Sequence, residues 1–313
     1  MAIDATLELG DLELELGAVL REARLAYRTH GTLAPERDNA ILFAHMYSGT
    51  PASLDPWIGS GRPLDPERWF IICPGQLGNG ISSSPSTYQG SFPELTIGDD
   101  VTMQHRLVRE ELRVERLELV LGFSMGGQQA YEWAVRFPSI VRRLAVFAGL
   151  ARTTPANDLL VATAAESLAA GPLHHAHFWA ATGLSAELFR REAWQQAGFT
   201  SVTDLITRLF EEDLTARHPA DLQAQLAKWR RADVSRLAGG DLAAALARIT
   251  AGAAIAAFSH DNWFPVADCR AEQQLVANSS FHVVESAWGH YAWGITDAET
   301  AQIERILAEV LAT

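Results

Sequence analysis

The chain has 313 residues and a mass of 34.2 kDa, enough for one large domain or for a core carrying an insertion. Hydrophobic residues make up 48% and charged residues 20%, the balance of a globular protein with a sizeable core. The net charge is −13, Lys228 is the one lysine beside 24 arginines, and no basic stripe is interleaved with aromatics, which excludes a nucleic-acid binder.

The opening segment "MAIDATLELGDLELELG" carries acidic residues early and has no basic start followed by an apolar run, so no signal peptide is read there. No apolar stretch approaches the roughly 18 residues needed to span a bilayer. Cys73 and Cys269 stand far apart and build no disulfide framework, which suits a reducing compartment. A soluble, cytoplasmic protein is the expectation.

In chain order, "EARLAYRTHG" alternates apolar and polar residues and reads as a half-exposed edge strand. "AILFAH" and "WFIIC" are continuous apolar runs, the mark of strands covered on both faces. "VTMQHRLVREELRVERL" has helical spacing, with Met103, Leu107 and Leu112 near one face. Its charge run "EELRVERLE" reads as a solvated surface. "LELVLG" is another buried strand. After Ser124, the residues Ala130, Trp133, Ala134 and Phe137 fall at i, i+3, i+4 and i+7, a helix ending at Pro138. "RRLAVFAG" is the next strand. This alternation predicts an α/β fold with a mostly parallel sheet between helices.

From about Pro155 to Ile249 the texture changes to alanine, leucine, tryptophan and arginine without a convincing strand. Four helical stretches separated by glycine or proline fill it. "AAIAAFS" and "FHVVES" then resume the sheet pattern, and "AETAQIERILAEVL" is an amphipathic terminal helix. The expected organisation is a core of residues 1–154 and 250–313, interrupted by a helical cap over 155–249.

Gly122-Phe123-Ser124-Met125-Gly126 matches G-x-S-x-G between a buried strand and a helix, the context of a nucleophile elbow. Small residues at both ends let strand and helix cross closely, and the helix N-terminus offers free N–H groups to a developing oxyanion. A serine hydroxyl needs a base, and on this fold the chain order is serine, acid, histidine. Asp261 in "HDNWFP" and His290 in "AWGHYAWG" each lie just past a strand end, 137 residues after Ser124 and a further 29 on. His260 adjoins Asp261 and would point away from it in an extended chain. His282 falls inside an expected strand. Asp268 and Glu285 are the alternative acids. For the oxyanion hole, one N–H should come from Met125 and a second from the loop "HMYSG" after an early strand, with Tyr47 favoured over Met46. His45 would orient that loop.

"LELGAVLREARLAYRTHGTLAPERDNAILFAHMYSGT", "RPLDPERWFIICPGQLGNGISSSPS", "GFSMGGQQAYEWAVRFP", "SHDNWFP" and "GHYAWG" together resemble the homoserine O-acetyltransferase family, a branch of the α/β-hydrolase superfamily. The resemblance covers most of both core segments and is loose in the cap. It implies an α/β-hydrolase fold, with Ser124 as nucleophile, Asp261 as acid and His290 as base, and a helical cap of the kind used for dimer contacts. In that family an aspartate that holds the substrate's amino group typically follows the histidine; here that position is Tyr291. A neutral phenol does not replace a carboxylate as partner of an ammonium ion. Trp57, Trp263, Trp288 and Trp293 stand near the motif segments, so Tyr291, Trp263, Trp57 and Trp288 are expected to form a pocket for an apolar or bulky acyl group.

"HHAH" at His174, His175 and His177 has no accompanying ligand cluster and reads as solvated cap histidines. "GQLGNGISSSPS" lacks the lysine of a phosphate-binding loop and reads as site wall. No metal or cofactor is expected. The reading is a serine hydrolase acting on carboxylic esters through an acyl-enzyme, with an acyl-CoA-dependent homoserine-type O-acyltransferase as the alternative. A non-catalytic ligand-binding relative is disfavoured by the intact serine, acid and histidine. Its partners would be a small-molecule ester or acyl donor and a second copy of the chain through the cap, with no nucleic acid and no membrane.

Overall fold

The continuous apolar runs become the inner strands of a single sheet. A computed structural model describes residues 2–312. Its strands are β1 (Ile3–Glu13), β2 (Val19–His30), β3 (Ala40–Ala44), β4 (Phe70–Pro74), β5 (Leu119–Phe123), β6 (Arg143–Phe147), β7 (Gly252–Phe258) and β8 (Ser279–Val284). They lie in the order β1-β2-β4-β3-β5-β6-β7-β8. The pairs β1/β2 and β2/β4 are antiparallel and all others parallel. Every residue of β3, β4, β5 and β6 is buried, which explains why these segments read as unbroken apolar runs. This is the α/β-hydrolase architecture expected from the alternating elements.

Two details differ from the sequence reading. The alternating strand β2 is not the edge of the sheet, because β1 pairs with it from Ile3↔Thr29 to Glu13↔Val19 and takes the outer position. The helix expected over residues 101–117 is shorter: α1 (Ile97–Arg106) widens into one π turn, Leu107–Glu111, and ends before Arg113, whose φ is +55°. The charged tail beyond it runs as non-helical chain into β5.

Helix α2 (Met125–Arg136) packs against β5, β6 and α1, buries Ala130, Trp133 and Ala134, with the Trp133 indole bonded to Gln104 of α1, and ends just before Pro138. Between β6 and β7 lie α3 (Pro155–Ala170), α4 (Pro172–Gly183), α5 (Ala186–Arg190), α6 (Val202–Ile206), α7 (Glu212–Thr215), α8 (Pro219–Arg230) and α9 (Leu242–Leu246). Helix α10 (Val266–Gln273) connects β7 to β8, and α11 (Asp297–Ala312) closes the fold against β6, β7 and β8. Among the described residues no helix is long and apolar enough to cross a membrane.

The helical block is tied to the core by polar bonds as well as by packing. Asn157 of α3 donates to the Trp263 carbonyl at 2.7 Å and accepts from the Trp229 indole of α8 at 2.8 Å. Lys228, also on α8, is fully buried and meets the equally buried Asp100 of α1 at 2.5 Å. It also donates to the Leu77 carbonyl at 2.9 Å and to Gln76 Oε1 at 3.3 Å. Burial raises the Asp100 pKa to about 6 against the pull of Lys228. Breaking such a pair strands a buried charge. Lys228→Met should therefore cost about 3–5 kcal/mol in thermal or denaturant unfolding, and Lys228→Met with Asp100→Leu should recover most of it. Equal stability of the single variant and the parent would show that the pair does not anchor the block.

Candidate active site

The chain leaves β5 at Phe123 and enters α2 at Met125 with a single residue between them. That residue, Ser124, has φ +55° and ψ −122°, a conformation an L-residue adopts only under local constraint. Its N–H donates to the Phe147 carbonyl at 2.9 Å. The two glycines of the motif make this turn sterically feasible. A Cβ on Gly122 would stand 2.2 Å from the Gly126 carbonyl, and one on Gly126 would stand 2.2 Å from the Ala44 carbonyl. Strand, helix and the end of β3 thus meet at backbone contact.

The loops after β7 and β8 bring the other two groups to Ser124. His290 Nε2 lies 3.0 Å from Ser124 Oγ, and His290 Nδ1 lies 2.8 Å from Asp261 Oδ2. The second Asp261 oxygen accepts from the N–H groups of Trp263 at 2.7 Å and Phe264 at 3.2 Å. All three side chains are almost fully buried. The competing residues fall away from this relay. His260 is exposed at a left-handed φ of +66°, Glu285 is exposed, Asp268 lies on α10, and His282 sits in β8 bonded to Ser280.

On the opposite side of Ser124 stands the loop after β3. Among the described residues the backbone N–H groups of Met125, Tyr47 and Met46 have no acceptor within the chain. His45 braces the loop. Its Nδ1 lies 2.9 Å from the Met46 carbonyl and 3.1 Å from Gln76 Nε2, and its own carbonyl accepts from Gln76 at 2.6 Å and Gln129 at 3.3 Å.

Ser124 and His290 open onto a cavity of about 300 Å³ lined by Met46, Tyr47, Phe123, Trp179, Tyr291 and Trp293, with Asp213 and Arg217 from the inserted segment also lining it. The expected pocket needs correction. Tyr291 lines the cavity, but Trp57, Trp263 and Trp288 do not, and all three are core residues. Trp57 packs on Phe123 at 5.2 Å, Trp263 stacks on Trp179 at 4.3 Å, and Trp288 packs towards Phe199. Proximity in sequence to a motif does not say which way an indole faces. Trp179 of α4, missed in the sequence, is a tryptophan that does line the cavity. A carboxylate is present too, in the cap: Asp213 is paired with Arg217 at 2.7 Å and accepts from Ser48 Oγ at 3.1 Å.

The "HHAH" histidines also divide. His174 and His177 are exposed, His177 beside Glu211 at 2.7 Å, whereas His175 is fully buried and is not a solvated residue. Among the described residues no three metal-ligating side chains converge.

A serine, a histidine and a carboxylate so arranged at an α/β-sheet edge define a serine hydrolase of the α/β-hydrolase class. The α/β-hydrolase fold family matches residues 39–293, and the chain belongs to it. It is 39% identical to a probable esterase of Corynebacterium glutamicum, covering 97% of this chain and 95% of the relative. It is 40% identical to an ethyl acetate hydrolase of Pseudomonas veronii over 98% of this chain and 95% of that protein. The solved acetyl esterase MekB superposes with a TM-score of 0.97 at 38% identity, covering 99% and 97% of the two chains. A homoserine O-acetyltransferase of Geobacter sulfurreducens is 41% identical, but over 46% of this chain and 45% of that enzyme. The chain is an enzyme, an esterase-type member of the family with homoserine acyltransferases as more distant relatives.

Burial pushes the pKa of both His45 and His175 down to about 4, so both are neutral in the folded protein. In the unfolded chain each would titrate near 6.5, so the stability they contribute is complete above that pH and is lost as pH falls towards 4. The loss should reach roughly 3 kcal/mol per histidine, read as a falling unfolding midpoint between pH 6.5 and 4. His175→Gln should flatten that slope; an unchanged slope would mean that His175 is not buried as a neutral ring.

Proposed function

We propose that Ser124, His290 and Asp261 hydrolyse small carboxylic esters through an acyl-enzyme, with the helical block 155–249 acting as a cap that completes the substrate cavity. The observation that carries this reading is the unbroken relay from Asp261 through His290 to Ser124 at the cavity floor. His290 Nε2 takes the Ser124 proton as Oγ attacks the ester carbonyl carbon. The carbonyl oxygen becomes an oxyanion held by the N–H groups of Met125 and Tyr47. The imidazolium then protonates the departing alcohol, leaving Ser124 acylated. In the second half, His290 removes a proton from water as the water oxygen attacks the acyl carbon, and the imidazolium returns that proton to Oγ as the acyl–oxygen bond breaks, releasing Ser124 and a carboxylic acid. Asp261, held by two backbone N–H groups, keeps the Nδ1–H tautomer and stabilises the imidazolium.

Hydrolysis is favoured over transfer to homoserine by the residue after the histidine. Tyr291 presents a neutral phenol, which burial keeps from ionising, where an ammonium group would need a carboxylate. Asp213 is already engaged by Arg217 and Ser48. Near-full-length similarity to an ethyl acetate hydrolase and an acetyl esterase supports a short acyl group, and the cavity volume is at the small end for ligand sites.

Two measurements test this. Ser124→Ala should lower hydrolysis of p-nitrophenyl acetate by several orders of magnitude and abolish labelling by a fluorophosphonate probe; retained turnover would remove the serine from its role. Across a series of p-nitrophenyl esters, kcat/KM should fall as the acyl chain lengthens, and added homoserine should yield no appreciable O-acetylhomoserine from acetyl-CoA. Efficient transfer to homoserine would overturn the hydrolase reading in favour of the acyltransferase.

A further inference from the structure

Tyr47, whose backbone N–H has no acceptor within the chain, does not end in solvent. Its hydroxyl lies 2.9 Å from Nε2 of His175, a buried residue of cap helix α4. The Trp179 indole N–H, on the same helix, donates to the same Nε2 at 3.0 Å. The other ring nitrogen, Nδ1, sits 3.0 Å from the Ala164 carbonyl and 3.0 Å from Ser167 Oγ, both on α3. A carbonyl can only accept, so Nδ1 carries the proton and Nε2 is the acceptor for both Tyr47 and Trp179. The depressed basicity of the buried ring is consistent with that neutral tautomer.

The ring contacts repeat the same connection. Tyr47 stacks on Trp179 at 5.2 Å with 20° between planes, and Trp179 stacks on Trp263 at 4.3 Å and 7°. Trp263 is the residue whose N–H holds Asp261. The neighbouring Ser48, at a left-handed φ of +57°, is also held from the cap: its N–H donates to Gln225 Oε1 at 3.2 Å and its hydroxyl to Asp213. Tyr47 and Ser48 are therefore gripped by side chains of the inserted helices.

We infer that His175 is a positioning residue for the oxyanion hole: by accepting the Tyr47 hydroxyl it fixes the backbone N–H of Tyr47 at the distance from Ser124 that the tetrahedral intermediate needs. The inference rests on the assignment of Tyr47 as an oxyanion donor. Oxyanion donors act on the transition state rather than on the bound ester, so loosening the tether lowers kcat and leaves KM in place. It also makes the cap a fixed part of the catalytic frame, because an opening of α4 would carry the donor away from the serine.

The test compares Tyr47→Phe, His175→Leu, their double variant and His175→Gln with the parent enzyme, using p-nitrophenyl acetate hydrolysis and inhibition by an aryl trifluoromethyl ketone, which forms a hemiketal with the serine. Tyr47→Phe and His175→Leu should each lower kcat about 10- to 100-fold with KM within about twofold, and should weaken the ketone by a similar factor. The double variant should be no worse than the poorer single one, since both remove the same bond. His175→Gln, whose Oε1 can stand in for Nε2 as acceptor, should regain most of kcat. Unchanged kcat in either single variant, additive losses, or a KM that rises in step with the fall in kcat would overturn the assignment. If His175→Leu fails to fold, Tyr47→Phe decides alone, because it removes one oxygen and leaves the ring packing. Failure here is separable from failure of the proposed function: a Ser124→Ala variant that stays inactive while the His175 and Tyr47 variants are normal rejects only the tether.

Discussion

The site depends on one steric fact: at Gly122 and Gly126 a strand and a helix cross with their backbones in contact. No side chain fits between them, since even a methyl group at either glycine would overlap a carbonyl. That contact forces the reversal of direction into the single residue between strand and helix, and Ser124 accepts a left-handed backbone as a result. The strained turn projects the hydroxyl from the sheet edge and aligns it with the first N–H groups of a twelve-residue helix. The relay to His290 and Asp261 uses that fixed point, and both partners arrive from loops following parallel strands whose ends share the same edge of the sheet.

Behind this point lies a connected set of buried polar side chains. His45, Gln76, Gln104 and Gln129 bond to one another and to carbonyls behind the loop that faces Ser124, and Lys228 enters the same group from the cap. A buried amide or imidazole is costly when unsatisfied, so each bond also restrains its neighbours. The outcome is a stiff wall behind a loop that carries no regular structure of its own. Rigidity there suits a site whose chemistry relies on donors already in place when charge develops.

The relation to the homoserine acyltransferases turns on a small difference within this shared frame. The fold is shared with a solved homoserine O-acetyltransferase of Bacillus anthracis, which superposes with a TM-score of 0.86 at 20% identity. In this chain the cavity wall that Ser124 shares includes Tyr291, which closes against Gly183 of the inserted helices. A Cβ at Gly183 would come within 2.6 Å of the Tyr291 ring, so the inserted helices and the core are shaped to each other at Tyr291. The cavity keeps a carboxylate, Asp213, but its charge is matched within the cap.

Much of this could be read from the chain itself, for local reasons. Buried parallel strands need apolar residues on both faces, so β3, β4 and β5 announce themselves, and G-x-S-x-G between a strand and a helix points to Ser124 because only that spacing satisfies the crossing. Asp261 and His290 were legible because the order of elements fixes which loops reach the edge. The cap side of the cavity was not legible. Trp57, Trp263 and Trp288 stand beside the motifs yet face the core, while Trp179, Asp213 and Arg217 come from helices whose direction no local pattern specifies. His175 shows the limit most clearly. In sequence it is the middle of a polar "HHAH", like its exposed neighbours; only the packing of α4 against α3 turns it inward, where Tyr47, Trp179, Ala164 and Ser167 are its partners. Periodicity and steric necessity determine elements and the elbow, whereas the packing of the inserted helices alone decides which side chains meet across the cavity.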